Sequence, residues 1–152
     1  MGDNVTIVAR RIKEQAFSVD EALFVSEPGK QLTIRIGLQL GFAVNLDLVT
    51  LHVVVQYHYP ETPEDLIANI QVQNIFEISG LKRFIVSDSE IKLPSDTISR
   101  LVEMSVSHTR ALLAKNLFGT VVQENVLPIS DARQMAKDFF PNMFDGTKLF
   151  RP

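Results

Sequence analysis

The sequence contains a long run in which every second residue is apolar. The apolar residues on this parity are Leu32, Ile34, Ile36, Leu38, Leu40, Phe42, Val44, Leu46 and Leu48. Polar residues such as Arg35, Gln39 and Asp47 stand between them. Because successive side chains of a β-strand point to opposite faces, this period of two predicts a sheet with one buried face and one face in contact with water.

The same alternation predicts four strands in all. We expect them at about residues 5–18, 31–42, 47–59 and 66–78. The breaks at 45–47 and 60–63 are too short for a parallel crossover, which needs about a dozen residues or more, so the strands should pair antiparallel. The first strand has a mixed pattern and is expected at an edge of the sheet. No strand is expected after residue 78.

After Pro94 the apolar spacing changes to three and four residues, which is typical of a helix with one buried face. The residues on that face are Ile98, Leu101, Val102, Ser105, Thr109, Leu112, Leu113 and Asn116. The pattern predicts a helix of about 24 residues, or about 36 Å at 1.5 Å per residue. Ser95 is the expected N-cap, and Gly119 is the expected residue just past the helix.

A short second helix is predicted at residues 131–140, with Ser130 as its cap and Pro141 ending it. The expected fold class is therefore α+β, with a four-stranded antiparallel sheet followed by one long and one short helix. With 152 residues, the chain is expected to form a single domain. We expect its core at about residues 5–140, followed by a short C-terminal tail.

The composition of the sequence limits the kinds of molecule that the protein is expected to bind. The formal net charge is −3 and the cations are mostly scattered, so we expect no nucleic-acid partner. There is no cysteine, which excludes disulfides and thiolate metal sites. The first residues do not resemble a secretory signal, and no apolar run approaches the roughly 20 residues of a membrane span. We therefore expect a cytoplasmic protein without membrane insertion.

The common catalytic and cofactor motifs are missing from the sequence, among them GxSxG, the P-loop, GxGxxG and HExxH. We therefore expect no enzyme activity and no cofactor. His52 and His58 could share a metal with Asp47, but both histidines fall on the polar parity and are expected to be solvated. His108, inside the long helix, is expected to be partly buried and hydrogen-bonded to a neighbour.

The order and spacing of several segments resemble the SecB family of cytosolic export chaperones. Residues 12–17 resemble its first strand, 51–56 its third, and 73–80 its fourth, where Ile75-Phe76 precedes a closing Gly80. Further similarity lies at 93–94, before the long helix, at 117–120, where that helix ends, and at 127–129, before the last helix. The resemblance covers about residues 5–140.

The resemblance implies an ATP-independent holdase that assembles as a homotetramer, a dimer of dimers, and binds unfolded polypeptide clients over apolar grooves. Flexible Met and aromatic side chains suit varied clients. Apolar residues also occur in the otherwise polar connection at 20–30. By position, the candidate client contacts are Leu23, Phe24, Val25, Phe42, Phe76, Met135, Phe139 and Phe140. Each of these residues could instead belong to the core or to a subunit interface.

In export members of the family, acidic residues on the first and fourth strands bind the translocation ATPase SecA. The matching positions here are Glu14, Ser18 and Asn69, of which only Glu14 is acidic. Glu14 is therefore the one candidate residue for partner docking, and SecA docking is expected to be weak. The resemblance leaves protein export and a specific client, such as the antitoxin of a toxin–antitoxin pair, as alternatives.

Two functions outside this family stay open from the sequence. One is a small-ligand-binding or enzymatic α+β domain of the hot-dog type, whose central helix comes between strands. The long helix here follows all four predicted strands, which disfavours that alternative. The other is a subunit of a larger complex without chaperone activity.

Overall fold

The three-dimensional structure is a computed structural model that describes residues 5–24, 31–88, 90–128 and 131–145. Its strands are β1 (Ile7–Val19), β2 (Thr33–Ala43), β3 (Leu48–His58), β4 (Ala68–Ile78), β5 (Ile85–Ser87) and β6 (Glu90–Ile91). Its helices are α1 (Ser95–Leu117), α2 (Ala132–Phe139) and α3 (Pro141–Asp145). The predicted α+β class, with four strands before a long and a short helix, is confirmed.

Strands β1 to β4 form one antiparallel sheet in the order β1-β4-β3-β2. The predicted antiparallel pairing is confirmed, and so is the edge position of the first strand. Ile36 lies opposite Val55, and Val55 lies opposite Ile70. Because paired residues of antiparallel strands point to the same side, these three apolar side chains share one face.

We call that side of the sheet the covered face, because α1 packs against it. Every second residue of β3 and β4 points to this face, and these residues are buried. The largest of these side chains are Leu51, Tyr57, Ile70, Phe76 and Ile78. The matching helix side chains, such as Ile98, Leu101 and Leu113, are also fully buried. Burying one such side chain stabilises the fold by about 1.5–3 kcal/mol, so this layer accounts for much of the stability.

The opposite side, which we call the open face, carries the other parity of the same strands. Apart from the buried His58 at the end of β3, the residues of β3 and β4 on this face are half-buried, and most of them are polar. In cross-strand rows they include Thr50 beside Ile75, His52 beside Gln73, Val54 beside Gln71, and Gln56 beside Asn69. Among the described residues, none of these side chains belongs to the hydrophobic core cluster.

Helix α1 has 23 residues, close to the predicted length. The prediction that Ser95 is the N-cap is wrong by one residue, because Ser95 is already helical and Pro94 precedes it without a side-chain cap. The Pro94 carbonyl accepts a hydrogen bond from Ile98 N at 3.1 Å. At the other end, Gly119 has a φ of +85°, the left-handed geometry expected just past a helix.

Helix α2 has eight residues and begins at Ala132. The predicted cap, Ser130, lies outside the described residues, and the cap is Asp131. Its carboxylate accepts hydrogen bonds from Arg133 N at 3.0 Å and Gln134 N at 3.1 Å. Aspartate caps a helix as well as serine does, so the sequence allowed either residue.

Two further predictions are wrong. Strands β5 and β6 form a small separate ribbon after residue 78, which the sequence pattern did not predict because elements of three and two residues are too short to show a period. His58 is buried rather than solvated, and its Nδ1 lies 2.9 Å from the Tyr59 carbonyl. Tyr57, His58 and Tyr59 are all buried, so the alternation ends with the strand.

Candidate functional site

An apolar groove lies between β2 and α2 on the covered face. Strand β2 is at an edge of the sheet, so Ile34 and Ile36 have neighbours on one side only and stay half-buried. Met135 of α2 is also half-buried, and Phe139 keeps 39% of its surface exposed. These four side chains line a shallow groove of about 360 Å³. The groove can take an apolar side chain from another molecule.

The rim of the groove is polar and acidic. Asp131, Gln134 and Asp138 of the α2 segment line it. Gln134 Nε2 donates a hydrogen bond to Asp138 Oδ1 at 2.8 Å, which orders this side of the rim. An apolar floor with acidic edges favours an apolar side chain that is flanked by basic residues.

A second cavity of about 500 Å³ lies between α1 and α2. Its lining is more polar and includes Ser99, Glu103 and Arg110 from α1 and Arg133 from α2. Arg133 also forms an ion pair with Asp96 at 2.8 Å, between two exposed side chains. Asp131 and Met135 line both this cavity and the groove, so the two cavities adjoin along the α2 segment.

The loop candidates lie away from the groove lining. Leu23 and Phe24 are half-buried against the hydrophobic core. Leu23 ends a short 3-10 turn and Phe24 follows it. Asp20 caps this turn, because its carboxylate accepts a hydrogen bond from Ala22 N at 3.1 Å. Val25 lies outside the described residues. The structure therefore places the described residues of this loop, Leu23 and Phe24, against the core and outside the groove lining.

The other aromatic candidates separate clearly by burial. Phe76 is fully buried and Phe140 nearly so, and both belong to the core. Phe42 is half-buried and packs against the core from β2. Phe139 and Phe140 are neighbours with ring centroids 6.4 Å apart, yet only Phe139 lines the groove. Of the eight client candidates, the structure brings Met135 and Phe139 together.

Ile34 and Ile36 were not predicted as site residues, because they carry the same apolar parity as the core. The position of β2 at the edge is what leaves them partly open. The available signal was the long connection between the first and second strands. Strands joined by a long connection need not lie side by side, so β1 was not required to pair with β2 and cover it.

The candidate docking residue Glu14 lies opposite Val72 in the pairing of β1 and β4, on the side of the covered face. Its Oε1 accepts a hydrogen bond from Asn116 Nδ2 at 2.5 Å. Ser18 lies opposite Asn69, on the open face. The three positions matched to SecA docking therefore do not share one face of the sheet.

Two titratable side chains of the interior, Tyr57 and His108, form hydrogen bonds that hold parts of the fold together. The Tyr57 hydroxyl donates a hydrogen bond to the Asn125 carbonyl at 2.5 Å. Burial raises the pKa of Tyr57 to about 12. His108 is half-buried and hydrogen-bonded to Asn74, as predicted, and burial lowers the pKa of its imidazole. Among the described residues, no three His, Asp or Glu side chains are grouped closely enough to hold a metal ion.

None of the described helices is both long enough and apolar enough to cross a membrane. Helix α1, the longest, carries charged residues along its length, including Arg100, Glu103 and Arg110.

The fold is similar to that of a SecB-like chaperone from Mycobacterium tuberculosis, solved in complex with a ChAD peptide from the HigA1 antitoxin. The TM-score is 0.49 at 5% sequence identity, and the match covers 82% of this chain and 84% of that chain. No protein-family model matches the sequence, and no curated protein does.

Proposed function

We propose that this protein is an ATP-independent holdase that binds unfolded polypeptide in the groove between β2 and α2. The observation that carries the proposal is the set of four partly exposed apolar side chains, Ile34, Ile36, Met135 and Phe139, at an otherwise well-packed layer. The sequence resemblance to SecB supports the same function. Binding of this kind needs neither a nucleotide nor a cofactor, and we place it in the cytoplasm.

The chemistry of the groove suits clients of varied sequence. Burying one Leu or Phe side chain contributes about 1.5–3 kcal/mol, which is too little to hold a chain tightly at one point. Met135 is unbranched and can adapt its rotamer to different side chains. Affinity for a long unfolded client must then come from several grooves acting together, because linked sites raise the effective concentration of the client.

We propose that the protein forms a homotetramer, a dimer of dimers, which would supply four grooves. Supporting this, several large apolar side chains outside the groove are exposed. Phe118, just after α1, is 82% exposed, and Val8 and Ile12 of β1 are exposed as well. Light scattering at micromolar concentration tests this assembly, and a stable monomer would contradict it.

The proposal leaves two biological roles, protein export and the protection of a specific client such as an antitoxin. Ser18 and Asn69 are uncharged, and Asn116 engages Glu14 on the other side of the sheet. We therefore propose weak binding to SecA, which favours the specific client. A pull-down with purified SecA tests this, and tight binding would restore the export role.

The central experiment measures how well the purified protein suppresses aggregation of a refolding client without nucleotide. The groove variant carries Met135→Ser and Phe139→Ser. The control variant carries Leu46→Ser and Val121→Ser, which also remove two exposed apolar side chains but lie outside the groove lining and outside the residues that support the tetramer. We expect the groove variant to lose most of its holding activity and the control variant to keep it.

Circular dichroism and thermal melting must first show that both variants are folded. If the folded groove variant holds clients at the wild-type ratio, the groove is not the client site. If the wild type never suppresses aggregation, the holdase function itself is wrong, and the alternative of a complex subunit without chaperone activity gains support. A third variant, Phe24→Ser, tests whether the loop before β2 contributes.

A further inference from the structure

The open face of the sheet carries a charge opposite in sign to that of the whole protein. The pairing of the strands places Arg11, Lys13 and Arg35 on it, and Arg10 joins them through its contact with Glu77. Glu77 is the one carboxylate that strands β1 to β4 place there. These four cations and one carboxylate give the face a formal charge of +3, whereas the chain carries −3.

A β-bulge concentrates this charge. In a regular strand, the neighbouring residues Arg10 and Arg11 would point to opposite faces. The register of β1 against β4 shifts between Ala9 and Arg11, so Arg10 is the extra residue. Arg11 lies opposite Ile75, and Arg10 Nε donates to Glu77 Oε1 at 2.6 Å, so both arginines reach the open face.

Most of this positive charge is not neutralised by carboxylates of the described residues. Arg35 donates from Nε to the neutral Gln56 amide oxygen at 2.9 Å and so keeps its full charge. Arg11 and Lys13 are exposed, and no carboxylate of the described residues forms an ion pair with either of them. Of these four cations, Arg10 alone forms an ion pair with a carboxylate of the described residues, that of Glu77.

The layout of the cations fits an extended chain. Arg11 and Lys13 are two residues apart on β1, about 7 Å at 3.3–3.4 Å per residue, which matches alternate side chains of an extended peptide. Arg35 lies three strand spacings away and four residues along, so it is about 19 Å from Lys13. About six extended residues span this distance. The amides of Gln71 and Gln73 lie between these cations and can hydrogen-bond a peptide backbone.

We propose that the open face binds an extended acidic segment of a partner protein. Single-stranded nucleic acid is the other polyanion of this shape, but proteins bind it by stacking its bases on aromatic side chains. None of the residues that β1 to β4 place on the open face is Phe, Tyr or Trp. The site does not depend on the proposed holdase function, because the groove lies on the covered face.

The test uses the full-length protein and a fluorescein-labelled peptide of six glutamates, followed by fluorescence anisotropy. At about 20 mM salt, charges interact over about 20 Å, and we expect saturable binding that weakens at about 150 mM salt. The variant Arg11→Glu with Lys13→Glu should bind the peptide at least about tenfold more weakly, because two attractions become two repulsions.

The control variant carries Lys115→Glu and Lys137→Glu, exposed residues of α1 and α2 on the covered side. It changes the net charge by the same amount, so equal weakening in the two variants would overturn the proposal. An absence of saturable binding by the wild type would also overturn it. So would tighter binding of a thymidine oligomer of equal charge, which would assign the face to nucleic acid.

Two further variants separate this site from folding and from the groove. Arg11→Gln with Lys13→Gln keeps polar side chains on an exposed edge strand and should weaken peptide binding about threefold or more while the thermal melt stays unchanged. The groove variant, Met135→Ser with Phe139→Ser, should bind the glutamate peptide like the wild type. Loss of peptide binding in a folded groove variant would contradict the separation of the two faces.

Discussion

Nδ1 of His108 donates a hydrogen bond to Oδ1 of Asn74 at 2.8 Å and so joins the long helix to the middle of the sheet. The direction follows from the other end of the amide, because Asn74 Nδ2 donates to the Leu51 carbonyl at 3.3 Å. Asn74 is fully buried on the covered face, among apolar neighbours. A polar group in that position needs both partners, since an unsatisfied buried donor or acceptor costs about 1–3 kcal/mol.

Stability should therefore depend on the protonation of His108. Burial lowers the pKa of His108 in the folded protein below the usual value of 6.5. Between these two pKa values the unfolded chain binds more protons, so the free energy of unfolding rises with pH. We expect the contribution to be complete above about pH 6.5 and to fall as the pH drops through the folded pKa.

Urea unfolding of the wild type and of His108→Gln at several pH values between 5 and 8 measures this contribution. Glutamine can still donate to Asn74 but does not titrate. The difference in the free energy of unfolding between the two proteins should shift in favour of the wild type as the pH rises. A difference that is constant with pH would show that His108 does not contribute in this way.

The turn between β2 and β3 gives a second prediction, at Asp47. This residue has a φ of +57°, and its carboxylate accepts hydrogen bonds from Gly80 N at 3.3 Å and Leu81 N at 3.1 Å. Asp47→Ala removes both acceptors and should lower the free energy of unfolding by about 1–3 kcal/mol. Asp47→Asn keeps an acceptor and tolerates the left-handed backbone, so it should cost less than about 1 kcal/mol. Denaturant titration of the two variants compares them.

Neighbouring residues of β4 test the two faces of the sheet. Ile70 is fully buried on the covered face, and Gln71 is half-buried on the open face. Ile70→Ala should cost about 2–5 kcal/mol, because it removes buried methyl groups and leaves a cavity. Gln71→Ala should change stability by no more than about 0.5 kcal/mol. Equal losses in thermal or urea unfolding would show that the register of β4 is wrong.

The adjacent residues Phe139 and Phe140 should differ in what they affect, Phe139 client holding and Phe140 stability. Phe140 is buried in the core, so Phe140→Ala should cost about 3–5 kcal/mol. Phe139 lines the groove, so Phe139→Ser should cost far less and should instead weaken the suppression of client aggregation. Stability is measured by urea unfolding and holding by light scattering of an aggregating client. The opposite pattern would place the client site elsewhere.

The sheet was predictable because its two parities differ so strongly in polarity. The long helix was equally clear, and Ile98, Leu101 and Leu113 are buried as its spacing predicted. The alternating pattern did not predict burial correctly where the chain turns. Leu46 continues the apolar parity of β2, but it lies in a 3-10 turn and is 68% exposed.

The groove was only half predictable. Met135 and Phe139 stood out as apolar residues of a short helix, but helical spacing alone did not distinguish Phe139 from the buried Phe140. Ile34 and Ile36 did not stand out, because the exposure of a strand depends on whether another strand lies beside it. Which strand lies beside another depends on the order of the strands in the sheet, and the apolar alternation of the sequence does not give that order.

The irregular edge strand β1 has a consequence for the proposed holdase function, in which the protein meets unfolded chains. Such chains contain many segments able to add to an unpaired sheet edge, and a straight edge would capture them by backbone hydrogen bonding. Strand β1 departs from regular pairing at two places, around Arg10 and Gln15, and carries exposed cations between them. Bulges and charges of this kind hinder strand addition. A bound client would then stay releasable rather than become a permanent fifth strand.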